Sequence, residues 1–324
     1  MPHFSRMAVV ALVLAAGFLA LFPLWGDTFY IRFVTKIMVY ALFAMSLDLL
    51  VGYVGLVSLG HAAFFGVAVY AVAGLVNKAG ITSAFALLPA AIAVATAAAA
   101  VIGWISIRTS GVYFIMITLA LAQMLYYFFN DQKYWGGTDG MNIDSRPTLA
   151  LGDFVLFNFQ NRVAFYYLAL ACLVGAFVFL STLLRSPFGH ALVGIRANEG
   201  RMRALGYDVQ RLKLIAFVIA GALAGLAGFL EASRSTFATP ALLGWHESGH
   251  VLVLVILGGM GTLYGPVLGA FVVLLLEDYF ATLTDRWLLI MGVFVIAVVM
   301  FLPEGLAGLF RRLAGLRRGK PGDG

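Results

Sequence analysis

The sequence predicts an all-α polytopic membrane protein with about ten transmembrane helices, several of them broken at glycine-rich segments. Three observations carry this. Of 324 residues, 62% are hydrophobic and 11% are charged, where a soluble domain carries about 25% charged residues. Apolar runs near or above the ~18 residues needed to span a bilayer recur along the whole chain. The net charge of +6 falls in two clusters, Arg185 to Lys213 and Arg311 to Lys320, rather than over one face. That placement argues against nucleic acid as a partner and marks the cytoplasmic side of a lipid-embedded protein. No linker or composition shift divides the chain, so residues 1–324 read as a single membrane domain. Cys172 lies inside an apolar run and supplies neither a disulfide framework nor a cysteine metal site. No cofactor or metal is expected.

The elements follow in order. Met7 to Trp25, preceded by Arg6, reads as an uncleaved first helix rather than a signal peptide, because it is long and lacks a small-x-small site before Asp27. Ile37 to Val51 is apolar except for Ser46 and Asp48. Leu56 to Val76 is rich in Gly and Ala, and Ala84 to Ile107 contains the stretch Ala97 to Ala100. Val112 to Phe129 and Val163 to Leu184 complete six crossings before the first basic loop. Leu214 to Leu230 comes next. Val251 to Leu257 and Val267 to Leu276 form a short pair broken by Gly258, Gly259, Gly261, Gly265 and Pro266, expected as two short helices around a tight glycine turn. Trp287 to Leu302 is last.

Charge sets the orientation. Residues 185–213 carry six Lys/Arg against Glu199 and Asp208, and the tail 304–324 carries Arg311, Arg312, Arg317, Arg318 and Lys320. Both are expected in the cytoplasm, and Arg6 places the N-terminus there too. Even numbers of crossings separate the three anchors, as about ten spans require. Residues 131–161 are then the largest external loop, with Asp131, Asp139, Asp144 and Asp153 against Lys133 and Arg146. Tyr134, Trp135, Gly136 and Gly137 suit a turn at headgroup level.

The 185–213 loop is the most informative segment. Pro187 and Gly189 end the preceding helix. Ala191, Leu192, Ile195, Met202 and Leu205 then recur at helical spacing, with Arg196, Glu199 and Arg203 between them and Gly206 suited to a C-cap. The expected element is one short amphipathic helix, a solvated or membrane-surface connector on the bland reading and a docking element for a cytoplasmic partner on the sharper one.

Four blocks carry a family resemblance. The loop block runs Ser186-Pro187-Phe188-Gly189, Ile195-Arg196-Ala197-Asn198-Glu199, Ala204-Leu205-Gly206 and Lys213-Leu214-Ile215-Ala216-Phe217. The others are Gly52 to Gly66, Leu257 to Ala270, and Pro303-Glu304-Gly305-Leu306. In order, they resemble the LivM-type permease subunits of branched-chain amino-acid ABC importers from about Lys36 to Arg312. One departure is that Gly200 and Arg201 follow Glu199 where the family commonly has a small pair.

The resemblance implies a transmembrane subunit forming half of a translocation path in a bacterial or archaeal cytoplasmic membrane. Its implied partners are two ABC ATPase subunits, a second homologous permease and an extracytoplasmic substrate-binding protein. Pro187, Gly189, Arg196, Glu199, Gly200, Arg203 and Gly206 are then the ATPase-coupling residues. Asp48, Ser58, Gly60, His61, Gly258, Gly259 and Thr262 are candidates for the path, although tight packing explains any one glycine equally well, and a structural bond suits Asp48 and His61. Independently, no G-x-x-x-x-G-K-[ST] motif is present, so ATP hydrolysis falls to another chain. A catalytic reading of Ser58 and His61 fails for want of a G-x-S-x-G setting. His246, Glu247 and His250, near a glycine that weakens the helix, read as rim residues. Two other functions stay open: an ABC permease for urea, amides or another small polar solute, and an ion-coupled secondary transporter, for which Asp48 is a thin supply of coupling groups.

Overall fold

The computed structural model describes residues 17–151, 154–159, 161–302 and 304–308. Most of the predicted first helix and the basic tail from Arg311 onward lie outside the described residues. Among the described residues, seven helices are long and apolar enough to cross a bilayer. In chain order the helices are α1 (Thr28–Asp48), α2 (Ala62–Ala79), α3 (Ala84–Ser106), α4 (Val112–Asp131), α5 (Arg162–Arg185), α6 (Pro187–Ala197), α7 (Glu199–Ala204), α8 (Val209–Ser235), α9 (Trp245–Gly258), α10 (Gly265–Leu283) and α11 (Trp287–Phe301). The seven spans are α1 to α5, α8 and α10, while α9 and α11 are shorter, at 14 and 15 residues. These nine correspond to nine of the ten expected segments; the other, Met7 to Trp25, lies mostly outside the described residues.

Burial separates the inner helices from the outer ones. From Ile37 onward α1 is buried, wrapped by α5, α8, α9 and α10. That stretch is apolar all round but for Ser46 and Asp48, as a helix surrounded by protein must be. It ends in a wide π-type turn, Leu49–Val54, of the kind that marks functional breaks in helices. α8 runs beside α1 and packs along α2 and α3. There Gly221 and Gly225, four apart, sit against Ala99 and Ala95 of α3. Small residues on both sides let two backbones approach closely, which drives helix association where lipid gives no hydrophobic advantage. α3, α4, α10 and α11 leave most of their apolar surface outward, as suits contact with lipid chains.

Two points differ from expectation. The second helix of the glycine-broken pair runs to Leu283 rather than stopping at Leu276, because the Glu277 carboxylate turns inward onto His250 (Oε1 to Nε2, 2.8 Å). And Gly249 does not interrupt α9, which stays helical from Trp245; a helix whose other faces are packed tolerates one glycine at a cost of about 1 kcal/mol.

The described residues of the 131–161 segment are folded into short ribbons and turns. Short antiparallel ribbons β2–β3 (Thr148–Leu151, Phe154–Asn158) and β1–β4 (Met141–Asn142, Phe237–Ala238) tie it to itself and to the end of α8. Lys78 lies 2.6 Å from the centre of the Tyr134 ring and 4.6 Å from that of Trp135, pinning the 133–135 turn to the end of α2.

Candidate functional site: a glycine crossing under two short helices

The predicted amphipathic helix is two helices. It breaks at Asn198 (φ −160, ψ 99), whose side chain caps α7 by accepting the Arg201 N–H at 2.9 Å. Asparagine competes well for the cap position and poorly for a helix interior, so one continuous helix from Ala191 to Leu205 is corrected to α6 and α7. The end of α7 is a Schellman turn: Tyr207 N–H bonds to Met202 C=O at 3.1 Å, Gly206 N–H to Arg203 C=O at 3.0 Å, and Gly206 takes φ +85. That left-handed conformation is the reason for glycine there. At the other end Pro187 sits in the first turn of α6, where its missing N–H is harmless. A Cβ on Gly189 would overlap the Leu184 backbone, so the α5–α6 corner closes only over glycine.

Glu199 faces the protein rather than only solvent. Its carboxylate binds Arg203 and Lys213, each at 2.6 Å, and the Lys213 side chain is 6% exposed. The pair joins α7 to the foot of α8. Partial burial raises the Glu199 pKa, but the hydrogen bonds and charge of Lys213, then of Arg203, outweigh it and leave the carboxyl below its ordinary value. Gly200 and Arg203 lie on the exposed side.

Arg196 reaches back under the membrane domain. Its guanidinium donates to the Gly52 carbonyl in the π-type turn of α1, and its stem lies 3.2 Å from where a Cβ of Gly55 would stand. Gly52 in turn packs on Gly261, in the turn between α9 and α10. Added Cβ atoms there would stand 2.7 Å from Gly261 Cα and 2.8 Å from Gly52 O, respectively. The same Gly261 donates its N–H to Asp48 Oδ1 at 2.8 Å. Asp48 is fully buried, and that bond gives one of its two oxygens a polar partner. The turn takes left-handed angles at Gly259 (φ +114), Gly261 (φ +73) and, unusually for its type, Leu263 (φ +56). Thr262 holds it closed by donating to Gly259 C=O at 2.7 Å and accepting Gly265 N–H at 3.1 Å. Gly258 is pressed on Gly265, and Gly305 stands 2.7 Å from Gly259 through the position of an added Cβ, so residues 304–308 pack at this end as well.

The other candidates lie elsewhere. His61 is fully buried, stacked on Phe43 (ring centres 5.6 Å apart) and bonded to Ser46 through Nε2 at 2.8 Å. Ser58 accepts the Gly60 N–H at 3.3 Å, and Gly60 lies hard against the Thr118 carbonyl of α4. Ser58, Gly60 and His61 therefore lock the start of α2 to α1 and α4, through partners other than those of the Asp48, Gly258, Gly259 and Thr262 crossing. His246, Glu247 and His250 fit the spacing of a metal-binding His-Glu-x-x-His helix. However, His246 stacks on Trp245 and His250 is taken by Glu277, and no group of three possible ligands converges among the described residues. Gly52, Gly261 and Lys213 are site residues that the sequence did not single out by role. All three stand inside the blocks that carry the resemblance, but Lys213 lies fourteen positions beyond Glu199 and no periodicity joins the two.

Interrupted helices meeting inside a multi-span bundle, with short helices strapped beneath them, define a membrane transport protein. Comparison with known proteins makes this specific. The chain belongs to the family described as branched-chain amino acid transport system / permease component, whose model matches residues 29–302. It is 29% identical to the high-affinity branched-chain amino acid transport system permease protein LivM of Escherichia coli (strain K12), over 97% of this chain and 78% of the relative. It is 30% identical to LivM of Salmonella typhimurium, over 88% and 72%. The L-arabinose permease AraH of Escherichia coli is 30% identical over 45% of this chain and 40% of its own length. No solved structure matches. The chain is a transmembrane subunit of an ABC importer, a transporter component rather than an enzyme.

Proposed function

We propose that this chain forms half of the path of a branched-chain amino-acid importer, and that Arg196 passes the ATPase stroke to the membrane domain. The α6–α7 end faces the cytoplasm, where the basic loop and tail belong. Two ATPase subunits dock beneath the importer. The exposed face that meets one of them carries Val193, Leu205 and Tyr207 with Arg201 and Arg203, an apolar centre with a basic rim. A second permease completes the path, and a binding protein delivers substrate to the opposite face. Branched-chain amino acids are the cargo named for both LivM relatives.

One observation carries the mechanism: a single side chain of the short helices, Arg196, bonds the π-type turn where α1 crosses the α9–α10 turn. Displacement of α6 therefore moves the crossing directly, and the left-handed glycines of the α9–α10 turn give it backbone freedom to move. The crossing, held by Asp48 and Thr262, acts as the inner gate.

The test is reconstitution of the full importer in proteoliposomes with labelled leucine. ATP-dependent leucine uptake, lost in Arg196→Ala while the importer still assembles, supports the reading. Uptake of urea or an amide without leucine overturns the cargo. Undiminished uptake in Arg196→Ala overturns the mechanism.

A further inference from the structure

At the end opposite α6 and α7, a cavity of about 290 Å³ opens between the start of α1, the start of α5 and the end of α8. Four guanidinium-bearing residues line it: Arg32, Arg146, Arg162 and Arg234. Arg234 is already neutralised by Glu231, through two bonds of 2.8 and 2.6 Å. Arg32, Arg146 and Arg162 have no carboxylate partner among the described residues. Arg146 is brought there from the external segment, which is anchored beside Arg234 by the Ile143 N–H to Thr236 C=O bond of 2.9 Å and by the β1–β4 ribbon.

Three cations around one hollow, without a carboxylate partner among the described residues, repel each other. Arg162 adds to the cost by sitting in the first turn of α5, which contains no acidic residue and where the helix dipole already favours an anion. Such an arrangement is relieved when an anion enters. The surroundings say which anion. Phe29 and Tyr30 at the start of α1 and Tyr167 in the second turn of α5 are exposed aromatics, the residue type that collects at the membrane–water interface. The hollow thus opens at headgroup depth beside lipid-facing rings, and basic pockets between transmembrane helices suit acidic headgroups.

We propose that this cavity binds the phosphate group of an acidic phospholipid, with Arg32, Arg146 and Arg162 as its ligands and Phe29, Tyr30 and Tyr167 against the lipid chains.

The test uses the full-length chain, delipidated in neutral detergent, and the variant Arg32→Gln/Arg146→Gln/Arg162→Gln. Phosphatidylglycerol is titrated with native mass spectrometry and thermal unfolding as readouts, phosphatidylcholine and inorganic phosphate serving as comparisons. The expected result is selective retention of phosphatidylglycerol with a raised unfolding temperature. At about fivefold per arginine, the triple variant should bind it about 100-fold more weakly while unfolding at no lower a temperature than the parent in phosphatidylcholine, because the repulsion among the three cations is gone. The single variants should each lose part of the affinity, which keeps the test alive if the triple variant folds poorly. Equal retention of the two lipids, or phosphatidylglycerol binding indifferent to all the variants, overturns the proposal. Stabilisation by inorganic phosphate alone, equal to that by the lipid, assigns the site to a free anion and overturns the lipid assignment.

Discussion

Replacing Gly52 with alanine tests the crossing most directly. A Cβ at Gly52 would overlap Asp48 Oδ1 and the Gly261 nitrogen, and would stand 2.7 Å from Gly261 Cα. Two of these three atoms are backbone of a turn that Thr262 holds closed. Two costs follow. Separating the segments strains close packing by about 1–3 kcal/mol. Turning Asp48 away instead breaks its bond to Gly261 inside the protein, at about 1–3 kcal/mol for a polar group left without its partner. The two routes are alternatives, so the cheaper one sets the expected loss at about 1–3 kcal/mol, a substantial part of a typical folding free energy. The assay is thermal unfolding of the purified chain in detergent, with leucine uptake by the reconstituted importer beside it. Gly249→Ala is the control: nothing stands within 4 Å of its added Cβ and it lies inside a helix, so it should be neutral or slightly stabilising. If Gly52→Ala unfolds and transports as the parent does, the crossing is not tightly packed and the gate argument falls.

Other expectations follow from the loop. Lys213→Met removes the main partner of Glu199 and should loosen α7 from α8, seen as faster amide exchange over residues 199–208 with little change in the spans. Because the folded pKa of Glu199 is depressed, the stability it lends is present above the ordinary carboxylate value of about 4.3. It is lost as pH falls through the lower folded value. Amide exchange in 199–208 should therefore be insensitive to pH near neutrality, beyond its intrinsic dependence, and should rise in acid, and Lys213→Met should weaken that acid response; an unchanged response would separate Glu199 from it. Gly206→Ala forces a side chain into a left-handed position and should cost about 1–2 kcal/mol, lowering ATPase stimulation if α7 is docked as proposed. A variant with parental stability would show that the Schellman turn is dispensable.

Much of the chain was legible because lipid imposes a plain rule. Every spanning backbone must satisfy its own hydrogen bonds, so long apolar runs become helices, and the runs from Ile37 to Leu302 each correspond to one. The glycine clusters and Pro187 were legible as breaks for the same local reason. The break at Asn198 was not, because asparagine caps a helix only where its side chain finds free N–H groups, and the spacing of Ala191, Leu192, Ile195 and Met202 hid it. The reach of α10 past Glu277 depended on His250, 27 residues away.

Sequence alone determined that this chain lives in a membrane, where its long apolar helices fall, which glycine-rich segments break, and which family it resembles. Each of these rests on composition, period or local motif. Only the tertiary structure decided that Asp48 serves Gly261, that Arg196 serves Gly52, that His61 is a packing residue beside Ser46, and that Arg32, Arg146 and Arg162 share one hollow. These facts depend on segments up to 213 residues apart meeting at distances of a few ångströms. Small residues make that approach sterically possible without naming the partner. Which glycine meets which is set by how all the helices pack at once, and no single stretch of sequence contains that information.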